Sequence, residues 1–538
     1  MLGHDQRYGS RGFAQRIGAS ADPVIAAVAG LTALAAVLRF VGIGHQGFWF
    51  DEANTVLLVH LSPGKMLGLI PQSESTPPLY YCLVWIWARM FGYGEAGLRS
   101  LSALAGVLTV PLVYGAGAKL ISRRAGLIAA ALTACNPFLI WYSQEARSYE
   151  LLVALSALAL LAFAYALSDP EPRTLAAWAI ASALCLATHY YAVLAIAPQA
   201  IWLLAAHRRR RAVGVAIAAV GACGLALLPL AISQNQTGHT SWIDYIALLP
   251  RLRQIFPQFL IGTGTPAQGV LEPLAAALVL LALVLLVVRA APGERRRSLG
   301  LGALALGALV INLVLVALGI DDLITRNVIV IWLPAALMVA GGLAADRRPG
   351  GPAADRRPGG LADGRRPGGR GAVVGLVAAV ALCGIGIFAA IGVASDRHLQ
   401  RPDWRAVERV LGSRPSTAGG RVILIQHYRD LLPLSLYLPG LKFLAARGAR
   451  VSEVDVVSIS APRVRLCWWG AACNLTSSTM QSSYSLPGFH VVWRRRALQF
   501  TIMRLSSPRP VLVSKRAVAG ALTTTTLRHD ALLEQVGR

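Results

Sequence analysis

Charge is scarce in this 538-residue sequence: only 14% of its residues are Asp, Glu, Lys or Arg, against about 25% in soluble globular chains. An ordinary soluble enzyme is thereby excluded. Negative charge is scarcer still, with 26 Asp and Glu against 51 Lys and Arg, a net of +25. Lysine is confined to Lys65, Lys119, Lys442 and Lys515, so the basic excess is almost all arginine, which reads as coding bias. The basic residues fall in short clusters between apolar runs, a pattern of cytoplasmic membrane loops and not of a nucleic-acid-binding surface, so no nucleic-acid partner is expected. Seven cysteines make no disulfide framework, because Cys135, Cys185, Cys223 and Cys383 lie in apolar runs and Cys82 in an aromatic one. Only Cys467 and Cys473 share a polar segment, and they are a disulfide candidate if it faces an oxidising compartment. Walker A, HExxH and dinucleotide glycine motifs are all absent, which leaves nucleotide hydrolysis, zinc proteolysis and soluble-cofactor redox without support.

What remains is 55% hydrophobic, with a mean hydropathy of +0.55. Apolar runs of spanning or near-spanning length lie at 22–43, 98–121, 125–142, 150–168, 175–189, 190–206, 212–233, 269–290, 299–319, 327–345 and 372–394. They predict an α-helical polytopic membrane protein of about eleven transmembrane helices. The first run follows Arg7, Arg11 and Arg16 and lacks a small-residue cleavage site, so it reads as an uncleaved span after a cytoplasmic tail over 1–21.

The positive-inside rule wants Arg123–Arg124, Arg208–Arg211, Arg295–Arg297 and the arginine pairs of 347–366 in the cytoplasm. Two choices place them all there. The aromatic stretch Pro77–Gly92 must not cross: as a helix it reaches about 24 Å against a core of about 30 Å, so it reads as interfacial, with Tyr80, Tyr81, Trp85 and Trp87 at headgroup level. Residues 175–206, about 48 Å as one helix, must be a hairpin turning at Thr188-His189-Tyr190-Tyr191. The extracytoplasmic side then receives 44–97, 143–149, 188–191, 234–268, 320–326 and everything after 395. The predicted domains are the tail, a transmembrane domain over 22–394 and an extracytoplasmic domain over 395–538. Within the second, three tandem nine-residue units ending RRPGG run from Leu343 to Gly369 in a flexible loop over 343–370 that tolerates repeat expansion.

Beyond Asp396 the composition becomes that of a water-soluble domain. Helix periodicity follows Asp403, and Arg421–Ile425, Val454–Ile459, His490–Trp493 and Val511–Val513 read as strands of a small α/β or α+β domain.

The residues with chemistry sit at the outer span ends. In Phe48-Trp49-Phe50-Asp51-Glu52, two carboxylates follow three aromatics at the membrane surface, where desolvation lifts a carboxylate pKa toward what a general base needs; an aromatic anchor with two solvated acids is the other reading. Glu145 and Arg147, in Ser143-Gln144-Glu145-Ala146-Arg147, and Arg326, in Asp321-Asp322-Leu323-Ile324-Thr325-Arg326, stand on the side that disfavours arginine. Each arginine there needs an anionic ligand or a local carboxylate, such as Asp321 or Asp322 for Arg326. His189 with Tyr190 and Tyr191 marks the hairpin turn, either as a structural histidine or as a substrate contact.

Taken in order, the FWFDE loop, the Pro77-Pro78-Leu79-Tyr80 helix, the SQEARSYE loop, the THYY turn and the Thr325-Arg326-Asn327 segment resemble the polyprenyl-phosphate-sugar-dependent membrane glycosyltransferases of the GT-C type, over residues 20–345. Protein O-mannosyltransferases and lipid A aminoarabinose transferases belong to that group. The resemblance implies a polyprenyl-phosphate sugar donor, an extracytoplasmic glycan, lipid or protein acceptor, and membrane lipids as neighbours. It implies Asp51 as general base with Glu52 beside it, and Arg147 and Arg326 on the donor phosphate, oriented by Glu145. His189, Tyr190 and Tyr191 are possible substrate contacts. One base and a cationic clamp suffice for inversion without a metal or other cofactor. A lipid-linked-sugar flippase is the rival, but it predicts polar residues in mid-span and internal pseudo-symmetry, both nearly lacking here.

Overall fold

The computed structural model describes residues 22–240, 243, 246–346, 370–417, 419–426, 428–459, 485–518 and 531–536. The tail, most of the arginine repeat and the Cys467–Cys473 candidate pair fall outside them.

Helix α1 (Pro23–Phe40) leads to three helices that do not span: α2 (Phe50–Val59), α3 (Pro63–Ser73) and α4 (Leu79–Phe91). Helix α5 (Glu95–Leu120) runs the length of the bundle, and α6 (Arg123–Cys135) packs against it at close range. A Cβ on Gly117 would stand 2.8 Å from the Gly126 Cα, so only glycine at this crossing lets the two backbones meet. The run expected as one span over 125–142 is bent by 57° into α6 and α7 (Pro137–Ser143). The cause is local: Pro137 has no amide hydrogen to continue the helix, and the Asn136 side chain caps the new start by accepting from the Leu139 amide at 3.0 Å.

Helix α8 (Tyr149–Ser168) returns, and α9 (Pro172–Thr188) and α10 (Val193–His207) form the expected hairpin, broken at His189 by extended backbone and one turn of 3₁₀ helix. Next come α11 (Arg211–Asn235), α12 (Leu248–Ile261), α13 (Gln268–Arg289), α14 (Pro292–Ala317), a 3₁₀ segment Thr325–Ile331 leading into α15 (Trp332–Leu343), and α16 (Arg370–Ser395).

Among the described residues nine helices are long and apolar enough to cross a membrane, ten if the bent pair counts as one, where eleven were expected. The chain is a multi-pass membrane protein. The difference is α9, whose 17 residues reach about 25 Å. Its ends nonetheless lie at opposite ends of the bundle: His207 bonds the Leu167 carbonyl before α9, and Tyr190, after it, bonds Gln234 at the end of α11. Two of the described arginine clusters meet their neighbours away from Tyr190, where Arg124 donates to the Ala372 carbonyl and Arg297 to that of Leu120.

The aromatic helix α4 is the second correction. It is short and does not span, yet Tyr80 and Tyr81 are fully buried against Val56, Leu58 and Ala146, not set at headgroup level. Their face of the helix points into the protein, while Ile86 and Met90 are exposed.

After α16, helices α17 (Trp404–Leu411) and α18 (Leu431–Tyr437) accompany a six-stranded sheet of order β2-β6-β1-β3-β5-β4. Its strands are β1 (Arg421–Ile425), β2 (Leu441–Phe443), β3 (Ala449–Ile459), β4 (His490–Ala497), β5 (Phe500–Val513) and β6 (Ala531–Gln535). Only β1 and β3 pair in parallel. Strand alternation sends Ile423 and Ile425 to a core with Trp404 and Leu434, and Val422 and Leu424 to the opposite core with Val454 and Leu505. The domain is seated on the end of the bundle that holds the 44–97 segment: the Tyr437 hydroxyl accepts from the Phe48 amide at 2.7 Å and donates to Glu95 at 2.8 Å. Tyr437→Phe leaves the Phe48 amide without that acceptor and is expected to cost about 1–3 kcal/mol, read as a lower thermal midpoint of the purified full-length protein.

Candidate active site

Glu52 and Arg99 set the floor of the site. Glu52 lies in the first turn of α2 and is completely buried. Its Oε1 accepts from Arg99 Nε at 2.6 Å and from the Ala146 amide at 2.9 Å, and its Oε2 from Arg99 Nη2 at 2.6 Å. Burial alone would push this carboxyl up, but the Arg99 charge and hydrogen bonds hold it below the usual carboxylate range. Arg99 spends its remaining donors on the carbonyls of Ile43, Gln46 and Gly47. The aromatic–acid motif thus splits: Glu52 turns inward to fasten the loop, and its neighbour Asp51 turns to the other side.

That side is a cavity of about 710 Å³, lined by Asp51, Glu74, Arg147, His189, Tyr191 and Arg326 among others. Its walls come from all five loops that charge parity put on one side of the membrane, so they do share one end of the bundle. Tyr428, Arg429 and Leu432 of the C-terminal domain also reach it. Asp51 Oδ2 is 2.8 Å from Arg326 Nη1, across 275 residues of sequence. The local pairing open to Arg326 does not form with Asp321, which pairs instead with Arg251 through two bonds of 2.6 Å.

Arg147 is held by a residue that the motifs did not single out. Its Nη1 donates to both oxygens of Glu74, at 3.0 and 2.9 Å, and to the Asp51 carbonyl at 3.3 Å. Burial works against the Arg147 charge, but Glu74 outweighs it and the guanidinium stays protonated. Asn54 fixes Glu74 in turn, donating to its Oε1 at 2.6 Å. Within Gln72-Ser73-Glu74-Ser75-Thr76 the acid looks like a solvated loop residue, and only its position behind two prolines and an aromatic helix hints otherwise.

Glu145 was expected to orient the two arginines; the structure pairs it with Arg401, at 2.8 Å, from the segment entering the C-terminal domain. Arg401 also donates to the Trp141 carbonyl and lies 4.0 Å over the Trp141 ring. Burial pushes the Glu145 carboxyl up against that pull. His189 is 3% exposed, and its Nδ1 accepts from the Tyr191 amide at 3.2 Å, which leaves the proton on Nε2. Burial, with Arg147 and Arg326 nearby, pushes the imidazole down to about 3, so it is neutral. Tyr191 lines the cavity, whereas the Tyr190 hydroxyl donates outward to Gln234 at 2.7 Å.

Among the described residues four buried arginine Nε–H groups have no hydrogen-bond partner, at Arg147, Arg251, Arg326 and Arg401, and two of these arginines, Arg147 and Arg326, line the cavity. Buried cationic donors of this kind suit an anion. Among the described residues no group of three or more His, Cys, Asp or Glu is arranged to hold a metal ion.

Residues 75–233 match the family described as Dolichyl-phosphate-mannose-protein mannosyltransferase, a stretch that contains the 143–149 loop and the 188–191 turn of the cavity. The whole fold is similar to ArnT from Cupriavidus metallidurans. The form bound to undecaprenyl phosphate shares 14% identity and a TM-score of 0.51, covering 89% of this chain and 97% of that one. The apo form gives 13% and 0.52, covering 90% and 98%. The chain has the fold of ArnT, and its residues 75–233 carry the mannosyltransferase family match. No curated protein matches it in sequence. Because the ArnT likeness extends through nearly all of that chain and about nine-tenths of this one, the C-terminal sheet belongs to the fold the two share.

The split between the adjacent acids can be measured. Glu52→Gln strands the Arg99 charge in the interior and is expected to cost about 3–5 kcal/mol, whereas Asp51→Asn, whose side chain borders the cavity, is expected to stay within about 1 kcal/mol of wild type. Thermal midpoints of the two variants in one detergent check this.

Proposed function

We propose that this enzyme transfers a sugar, with inversion, from a polyprenyl-phosphate carrier to a hydroxyl of a cell-envelope lipid, polysaccharide or protein on the extracytoplasmic side. The observation that carries the reading is the cavity itself: Asp51, a lining carboxylate held by a single bond to Arg326, beside two arginines whose buried Nε–H groups have no partner among the described residues. The undecaprenyl phosphate bound by ArnT is the kind of anion such donors would receive.

The chemistry balances with these groups alone. Asp51 accepts the acceptor's hydroxyl proton as that oxygen forms its bond to the anomeric carbon. The bond from that carbon to the phosphate oxygen breaks, and the polyprenyl phosphate leaves with one more negative charge. Arg147 and Arg326, already held in place by the protein, stabilise this charge. Glu74 and Asn54 keep Arg147 aimed, so less reorganisation is needed at the moment of reaction. Inversion follows from having one base and no second nucleophile in the assignment. The outward sidedness rests on the positive-inside rule applied to the arginine loops at the opposite end of the bundle.

Membranes given a labelled polyprenyl-phosphate sugar should show transfer by wild type and a loss of about 10²–10⁴-fold in Asp51→Asn at equal expression. The anomeric configuration of the product, read by NMR, should be opposite to that of the donor. Unchanged transfer by Asp51→Asn, or retained configuration, is the result that rejects the assignment.

A further inference from the structure

The cavity's own charges raise a difficulty for the incoming phosphate. Arg147 and Arg326 carry two positive charges, but Glu74 and Asp51 cancel them, and Asp51, whose task is to take a proton, is tied to a cation. The two pairs are not equivalent. Glu74 is 2% exposed and holds Arg147 through both oxygens while Asn54 holds Glu74. The Asp51 side chain is 16% exposed, and one of its oxygens meets one nitrogen of Arg326. One pair is anchored on both sides; the other can be opened by a competing anion.

We propose that the Asp51–Arg326 ion pair is a partner-exchange switch: the phosphate of a polyprenyl-phosphate ligand takes Arg326 away from Asp51, so that the base is unmasked only once the donor is in place. The inference rests on the reading of Asp51 as base and of the arginines as phosphate ligands. Before binding, the Arg326 charge neutralises Asp51. After binding, Arg326 faces the phosphate, its Nε–H gains a partner, and the Asp51 carboxylate, released from its ion pair, is free to accept from an acceptor hydroxyl in the cavity. Donor therefore binds before acceptor, and the base is not free to activate water while the site is empty. When Asp51 has taken the acceptor's proton it is neutral and cannot reclaim Arg326, so the product phosphate keeps that arginine until the proton leaves. Release of the carrier thus waits on deprotonation of Asp51.

The exchange makes an unusual statement about affinity: removing the proposed base should strengthen binding of the carrier. The free protein spends most of its time with Arg326 occupied, and the apparent affinity is reduced by that fraction. The probe is undecaprenyl phosphate, titrated against full-length protein in nanodiscs. Asp51→Asn and Asp51→Ala are both expected to bind it about tenfold more tightly than wild type, a change of about 1.4 kcal/mol. Arg326→Gln should weaken binding, and the double variant Asp51→Asn with Arg326→Gln should bind no more tightly than Arg326→Gln alone. Glu74→Gln separates exchange from a general charge effect, because it also removes a negative charge yet loosens Arg147; it should not tighten binding. Equal tightening in Glu74→Gln, or unchanged or weaker binding in both Asp51 variants, would overturn the switch while leaving the donor assignment standing. Failure of wild type and every variant to bind the probe would reject the donor assignment and the switch with it.

Discussion

The contact between Glu52 and Arg99 fixes the geometry from which the rest of the site follows. It joins the first turn of α2 to the start of α5, and through the Ala146 amide it reaches the loop that carries Arg147. All five N–H donors of Arg99 are engaged, two by Glu52 and three by carbonyls of the 43–47 turn, so the pair is not a bare charge couple but the centre of a saturated network. A buried ion pair is weak evidence for net stability, since desolvation offsets much of the attraction. Its contribution here is positional. With Glu52 held inward, the helical step of one residue turns Asp51 to the other face, toward the cavity and Arg326.

The same logic repeats around the site at larger separations. Glu74 takes Arg147 across 73 residues, Asp51 takes Arg326 across 275, and Glu145 takes Arg401 across 256. Each pair ties a different element to the cavity wall, and the last ties the start of the C-terminal domain to the central loop. The domain is thus locked in place by a buried cation over Trp141, with Tyr437 sharing the load at Phe48 and Glu95. That placement brings Tyr428 and Arg429 to the cavity and makes the soluble domain one of its walls.

How much of this was legible in the sequence depended on whether the signal was local. Apolar runs and arginine clusters are local, and the charge-parity argument placed five loops at one end of the bundle, where the structure has them. The hairpin at His189 was readable from length alone. The bend at Asn136-Pro137 was equally local, but it lay inside an apolar run long enough to pass as one span. Strand extents were less legible. The run Val511–Val513 is only the end of β5, which begins at Phe500 and passes through Ser507-Pro508-Arg509-Pro510, where prolines conceal a strand that would otherwise be read as continuous. Strand β3 starts at Ala449 and β4 continues to Ala497, each longer than expected, because arginine and acid side chains there face ionic partners or solvent and break the apolar pattern. In the site, Asp51, Arg147, His189 and Arg326 announced themselves by standing at span ends. Glu74, Arg99 and Arg401 did not, because a buried charge is recognised by its partner, and no partner lies within reach in sequence.

The scarcity of acid in the sequence has a structural counterpart. Around the site four buried or nearly buried arginines, at positions 99, 147, 326 and 401, pair with four carboxylates, at 52, 74, 51 and 145. Locally the charges balance, although the chain as a whole is at +25. The excess sits elsewhere, on the short loops of the opposite end and on exposed positions of the sheet domain such as Arg494, Arg495 and Arg496 of β4. A low-dielectric interior tolerates charge only in compensated sets, because each unpaired ion would cost several kcal/mol. The site is therefore built neutral, and an entering anion can be accommodated only by rearranging pairs that already exist. Which pair yields is decided by exposure and by how many bonds hold each partner, and on both counts the yielding pair is the one that contains Asp51.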